Sequence, residues 1–138
     1  MNVLFDTNVL LDVIEAREPH VAASAEVRAL AEERAFSPFV AAISFNNAYY
    51  LISRSLGATK AMESIRLLRS IFRTVPVDDA ILDAAMSLPP IDFEDAIQAA
   101  STQAISADYL VTRNVRDFHR LGIMTALIRT DFLTIVGP

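Results

Sequence analysis

Short apolar runs alternate with longer stretches of helical periodicity along this chain, and polar residues collect where one gives way to the other. Val3 to Phe5 is an apolar run that ends at Asp6, and Asn8 to Arg17 then carries Val9, Val13 and Ile14 at helical spacing. Pro19 predicts the start of a second helix with Val21, Ala25, Ala29 and Leu30 on one face. Phe39 to Ile43 reads as a buried strand, and Ser44 as the cap of a helix whose inward stripe is Phe45, Ala48, Ile52 and Leu56. Gly57 ends that helix, and the next runs from Ala58 to about Arg73 with Ala61, Ile65, Leu68 and Phe72 inward.

Thr74 to Val77 predicts a short strand, Asp78 a cap, and Ala80, Ile81, Ala84, Ala85 and Leu88 one helical face stopped by Pro89 and Pro90. Asp92 opens a helix with Phe93, Ala96, Ile97, Ala100 and Ala104 on its buried side, while Asp95 lies in the first turn, off that stripe. Tyr109 to Thr112 is the next strand, followed at once by Arg113, Asn114 and Asp117. After Gly122, Ala126 to Arg129 reads as strand and Asp131 to Ile135 as a short helix. Strands alternating with helices predict an α/β fold with a parallel sheet covered on both faces.

In such a sheet the strand-to-helix junctions line up along the carboxyl rim, where ligands bind. Asp6, Asn47, Asp95 and Asp117 all stand at junctions of this kind. Two carboxylates about 4 Å apart repel by roughly 4 kcal/mol at an effective dielectric near 20, so three gathered acids call for protonation or a cation. Oxygen ligands without His or Cys favour a hard divalent ion, Mg²⁺ or Mn²⁺.

The bulk numbers narrow the field. A length of 138 residues predicts one domain, residues 1–138, and a hydrophobic share of 53% against 21% charged excludes a disordered chain. Cysteine is absent, which removes disulfides and thiolate metal sites, and the start MNVLFDTN lacks the basic region of a signal peptide, so a cytoplasmic location is expected. The uncharged run from Ala35 to Ser53 is long enough to span a bilayer, but Pro38, Asn46 and Asn47 argue for a buried strand and helix, with no membrane partner. A net charge of −5 excludes tight nucleic-acid binding through overall charge; Lys60 is the sole lysine among 12 basic residues, and arginines suit bidentate phosphate contact.

The pieces VLFDTNVLLD, DFEDAIQAAS and YLVTRNVRDF, in that order over essentially the whole chain, resemble a PIN-domain protein, the fold of VapC-type toxin ribonucleases. The resemblance implies a three-layer α/β/α sandwich with a central, mostly parallel sheet, and an acidic pocket for one or two Mg²⁺ or Mn²⁺ ions. It makes Asp6 the first metal ligand, Asp95 the third acid and Asp117 the fourth, with Thr112 and Asn114 lining the pocket. It implies hydrolysis of RNA phosphodiester bonds, a small antitoxin partner and a homodimer. The chain departs from the family at Asn47, where Glu is often found; Glu94 or Asp92 is the candidate substitute for the missing charge.

Each residue also has a plainer reading. Asp6 and Asp92 suit helix caps, Asp117 and Asn114 suit a turn, and Asn47 reads equally as a neutral helix residue. Asp12 reads as structural, paired with an arginine. Arg113 and Arg116, beside the pocket, are the candidates for RNA contact, whereas Arg66, Arg69 and Arg73 read as a solvated stripe and Glu94 as solvated. His20 and His119 are isolated. A haloacid-dehalogenase-type phosphatase needs a second Asp where Asn8 stands, and a receiver domain needs a lysine that Thr112 to Asn114 do not offer. The rival from another class is a PIN fold that binds RNA or protein without cleaving.

Overall fold

A computed structural model of the chain describes residues 1–15, 29–33 and 35–137, with side chains throughout except at 13–15. The elements are β1 (Asn2–Phe5), α1 (Thr7–Glu15), a helical stretch α2 (29–32), β2 (Ser37–Ala41), α3 (Ala42–Leu56), α4 (Ala58–Ile71) and β3 (Arg73–Val75). There follow α5 (Asp79–Met86), α6 (Phe93–Ala104), β4 (Tyr109–Val111), α7 (Val115–Arg120), β5 (Ala126–Leu127) and α8 (Arg129–Val136). The expected helix at Pro19, with Val21, Ala25 and His20, lies outside the described residues up to Ala29.

The sheet order is β3-β2-β1-β4-β5, with every pairing parallel. The chain winds outward from β1 through β2 to β3, then returns to place β4 on the other side of β1. The gap between the carboxyl ends of β1 and β4 is therefore the topological switch point, where the loops leave in opposite directions and open a crevice. Asp6 follows β1, and Thr112 follows β4.

Alternation along the strands divides the core between two helical layers. Val3, Phe5, Val40 and Val111 face α1, α3, α4 and α8, packing with Val9, Ala48, Ile52, Leu68 and Phe132. Leu4, Val75 and Leu110 face the opposite way, toward Ala99 of α6 and Phe118 of α7, and α5 packs on α6 through Ile81, Ala85, Ala96 and Ile97. The result is the expected three-layer sandwich. Its first layer is anchored by aromatic rings: Phe132 meets Phe36 at 5.0 Å and Phe5 at 5.9 Å, both edge-on, and Phe5 meets Phe72 at 5.3 Å.

Several boundaries differ from the sequence reading. β2 starts at Ser37 rather than Phe39, which puts Pro38 inside an interior strand. Ser37 N–H turns to β1, where Met1 O accepts it, so position 38 faces β3 ahead of the first β2–β3 pair, Phe39 with Arg73. The N–H that proline lacks would have had no partner there. α3 begins directly at Ala42, so Ser44 is a buried residue of its first turn and not its cap. Leu56 and Phe93, placed on buried stripes by periodicity, are exposed because they terminate helices beyond the edge of the layer they serve; Ala80 and Ala84 are exposed as well. The caps at Asp78 and Asp92 are present, accepting from Ile81 N and Asp95 N. The run from Ala35 to Ser53 is divided between β2 and α3, and among the described residues no helix is long and apolar enough to cross a membrane.

Phe132 binds the terminal helix into this ring cluster rather than leaving it as a tail. Replacing it with Ala should cost about 3–5 kcal/mol, read from the shift in urea midpoint; a loss below about 1 kcal/mol would mean that α8 contributes little to the core.

Candidate active site

Asp6 emerges from β1 with only 2% of its surface exposed. A buried carboxylate needs hydrogen bonds or an opposite charge, and each oxygen of Asp6 has a hydrogen bond. Thr7 N–H donates to Oδ1 at 2.7 Å, and the Thr112 hydroxyl donates to Oδ2 at 2.9 Å. The Thr112 oxygen in turn accepts Asn114 N–H at 2.9 Å. Asp6 N–H bonds Val111 O at 3.0 Å and Thr112 N–H bonds Leu127 O at 3.0 Å, so the backbone carries the sheet pattern past the last strand residues. Three of the predicted residues, Asp6, Thr112 and Asn114, thus form one bonded unit across the switch point.

Asp95 interacts with Asp6 through space, and Asp117 with Asp95. Asp95 sits half-buried in the first turn of α6, and Asp117 half-buried in the first turn of α7. Burial pushes the Asp95 carboxyl up to about 7, helped by the negative charges of Asp6, Asp92, Glu94 and Asp117. Burial also raises Asp6 to about 6, against the hydrogen bonds from Thr112 and Thr7; Glu94 raises it further and Arg113 opposes. Asp117 Oδ1 lies 4.0 Å from Arg120 in an exposed pair of small worth. Among the described residues no three acidic, His or Cys side chains close into a ready-made ligand cluster; the acids share a field rather than contacts.

Asn47 is half-buried in the second turn of α3, and its side chain makes no hydrogen bond among the described residues. Arg116 is exposed on α7. Arg113 does not extend freely into solvent: its Nε lies 3.5 Å from Asp12, a fully buried carboxylate that also stands 3.6 Å from Arg129. The expected structural role of Asp12, paired with an arginine, is what the structure shows. His119 contacts Ala126 O at 3.2 Å, a packing role. Arg73 lies over the Phe39 ring at 5.4 Å.

The sequence reading missed Thr7, Ser44 and Gln98, which form a buried polar group beneath the rim. Gln98 Nε2 donates to Ser44 Oγ at 2.8 Å, and the Ser44 and Thr7 hydroxyls are 2.9 Å apart. The available signal was Gln98 itself, the polar member of an otherwise small and apolar run on α6. A cavity of about 580 Å³ lies elsewhere, between Phe36, Ser37, Arg69 and Arg73. Ser37 and Arg73 open their strands, so this cavity is at the amino end of the sheet, and Asp6, Asp95 and Asp117 do not line it. Chemistry, not volume, identifies the site.

Fold and rim together define a class: a parallel α/β protein with a buried acid at its switch point and further acids on the first turns of α6 and α7. The sequence profile of the PIN domain matches residues 2–116, and the chain belongs to the PIN-domain family. No curated protein sequence matches it. Among solved structures it is similar to VapBC from Salmonella typhimurium bound to DNA, with a TM-score of 0.73 and 14% identity over 94% of this chain and 98% of that one. It is similar also to VapBC2 from Rickettsia felis bound to a DNA fragment from their promoter, with 0.72 and 17% over 93% and 98%. A third is VapC20 of Mycobacterium tuberculosis, described as a Sarcin-Ricin loop cleaving toxin, with 0.71 and 14% over 89% and 97%. At these identities the likeness is one of fold.

The raised acids set a sign for pH. Both ordinarily titrate near 3.8, so between about pH 4 and pH 7 the folded state holds protons that the unfolded chain has released, and stability falls as pH rises across that window. Their contribution is fully present below about pH 4 and is lost through pH 6 to 7. Urea unfolding of the metal-free protein from pH 4.5 to 7.5 should show this decline, and it should be smaller in Asp6→Asn/Asp95→Asn. Equal slopes for the two proteins would contradict the assignment.

Proposed function

We propose that this chain is a Mg²⁺- or Mn²⁺-dependent ribonuclease that hydrolyses RNA phosphodiester bonds, and that it is the toxin of a toxin-antitoxin pair. The observation that carries the reading is the bonded Asp6–Thr112–Asn114 unit at the switch point, with Asp95 close enough to feel the charges of both Asp6 and Asp117. The donor set fits a hard divalent cation: it is all oxygen, it is partly desolvated, and burial with mutual repulsion leaves its carboxyls short of positive charge. Asp6, Asp95 and Asp117 would hold the ion. What a divalent cation supplies at such a site is polarisation of a phosphoryl oxygen and a water of lowered pKa.

The chain's own residues do the rest. Thr112 and Thr7 N–H each occupy one lone pair on an Asp6 oxygen, which fixes the carboxylate plane and leaves the remaining lone pairs for a ligand. Asp117, less buried than Asp6, is suited to accept a proton from the attacking water. Arg116 and Asn114, exposed at the start of α7, are suited to phosphate contact, and Arg113 contributes a positive charge fixed by Asp12. The similar structures from toxin-antitoxin complexes support an antitoxin partner for this chain. Self-association belongs to the same reading, and light scattering on the purified chain tests it.

Asn47 favours a second reading, a PIN fold that binds RNA or protein without cutting, because this uncharged residue adds nothing to the negative field. Incubation of single-stranded RNA with the protein in Mn²⁺ separates the two. The nuclease should give product that EDTA abolishes and that Asp95→Asn reduces by more than about a hundredfold, since even outer partners of a metal ligand are worth 10–100-fold. Retarded but intact RNA, with no product in Mn²⁺, would establish the binder.

A further inference from the structure

Gln98 is fully buried on the face of α6 that carries Glu94 one turn earlier. From its amide a chain of polar contacts runs to the rim. Gln98 Nε2 is 2.8 Å from Ser44 Oγ and 3.4 Å from Thr7 Oγ1, the two hydroxyls are 2.9 Å apart, and Thr7 Oγ1 reaches Glu94 Oε1 at 3.3 Å. Hydroxyl hydrogens rotate, so every donor is used if the amide gives to Ser44, Ser44 to Thr7 and Thr7 to Glu94. That order ends on an anionic acceptor, where a hydrogen bond is strongest.

A packing role alone does not account for this arrangement. Gln98 Oε1 is buried without a hydrogen-bond partner among the described residues, a condition that costs about 1–3 kcal/mol and that a leucine would relieve. Thr7 adjoins Asp6 in the chain, and Glu94 adjoins Asp95. Glu94 is half-buried, and its bond to Thr7 turns its carboxylate toward the residue beside Asp6 and not into open solvent.

We infer that Glu94 is a further acid of the cation site, with Gln98 its positioning residue acting through Ser44 and Thr7. The inference rests on the metal-dependent reading above. It gives the rim a carboxylate whose direction is set from α1, α3 and α6 together.

The test is Mn²⁺ binding to the metal-free full chain, followed by the electron paramagnetic resonance signal of free Mn²⁺, with thermal unfolding of each protein without metal. Glu94→Gln should raise the Mn²⁺ Kd by about tenfold or more, because affinity follows ligand charge. It should leave the metal-free unfolding temperature unchanged or higher, since it removes a like charge from a crowded group. Gln98→Leu should raise Kd by about tenfold, and Glu94→Gln/Gln98→Leu should lose no more than Glu94→Gln alone, because the amide acts through the acid. Gln98→Met serves if Gln98→Leu does not fold.

Glu94→Gln binding Mn²⁺ like the wild type, or losses that add in the double variant, would overturn the assignment while leaving the metal-dependent reading intact. A wild-type chain that binds no Mn²⁺ would remove both.

Discussion

The hydrogen bond from Thr112 to Asp6 is the contact on which the rest of the site depends. It joins the carboxyl ends of β1 and β4, the two strands between which the sheet reverses its winding order, and it does so inside the protein at 2.9 Å. A carboxylate with 2% exposure would otherwise be protonated or expelled. With both oxygens bonded it remains, at the price of a raised affinity for protons. The sandwich makes this possible because parallel β1 and β4 are in register, Phe5 with Val111, so the residues that follow each strand arrive side by side.

The same geometry explains why Asp95 is raised by acids that do not touch it. Asp95 and Asp117 stand on first turns of separate helices, each helix seated on the sheet by its own apolar face: Ala99 for α6 and Phe118 for α7. Those seats fix how near the carboxylates can come. Helix amino ends partly offset the accumulated charge, whereas Asp92, whose side chain takes Asp95 N–H at 2.9 Å as the helix cap, adds its own charge to the repulsion.

How much of this was legible in the sequence depends on the kind of interaction. Strand-helix alternation, the caps at Asp78 and Asp92, and the junction positions of Asp6, Thr112 and Asp95 follow from local patterning, and they stand where expected. Pro38 hid the start of β2, because whether a proline harms a strand depends on where the neighbouring strand begins, a fact no local window contains. Ser44 was read as a cap since serine before an apolar stripe usually is one; tertiary contact with Gln98 and Thr7 drew it into the helix instead. Gln98, Thr7 and Ser44 come from three separate segments, so their association becomes visible only when the layers are assembled.

Arginine at this rim is more constrained than its place in the sequence suggests. Asp12, fully buried in α1, lies 3.5 Å from Arg113 and 3.6 Å from Arg129; burial lowers the Arg129 pKa while Asp12 opposes that shift. Asp12 thus places two guanidinium groups next to an acidic pocket, in a chain whose overall charge is −5. An anionic polymer is repelled by such a protein at long range, where the whole charge counts, and meets opposite signs side by side at short range, where individual groups count. Arg113 is held by Asp12 from below and its charge is still felt at Asp6, so it marks the boundary between the two. The charge at this rim is therefore a fixed pair of opposite fields, not a flexible basic arm.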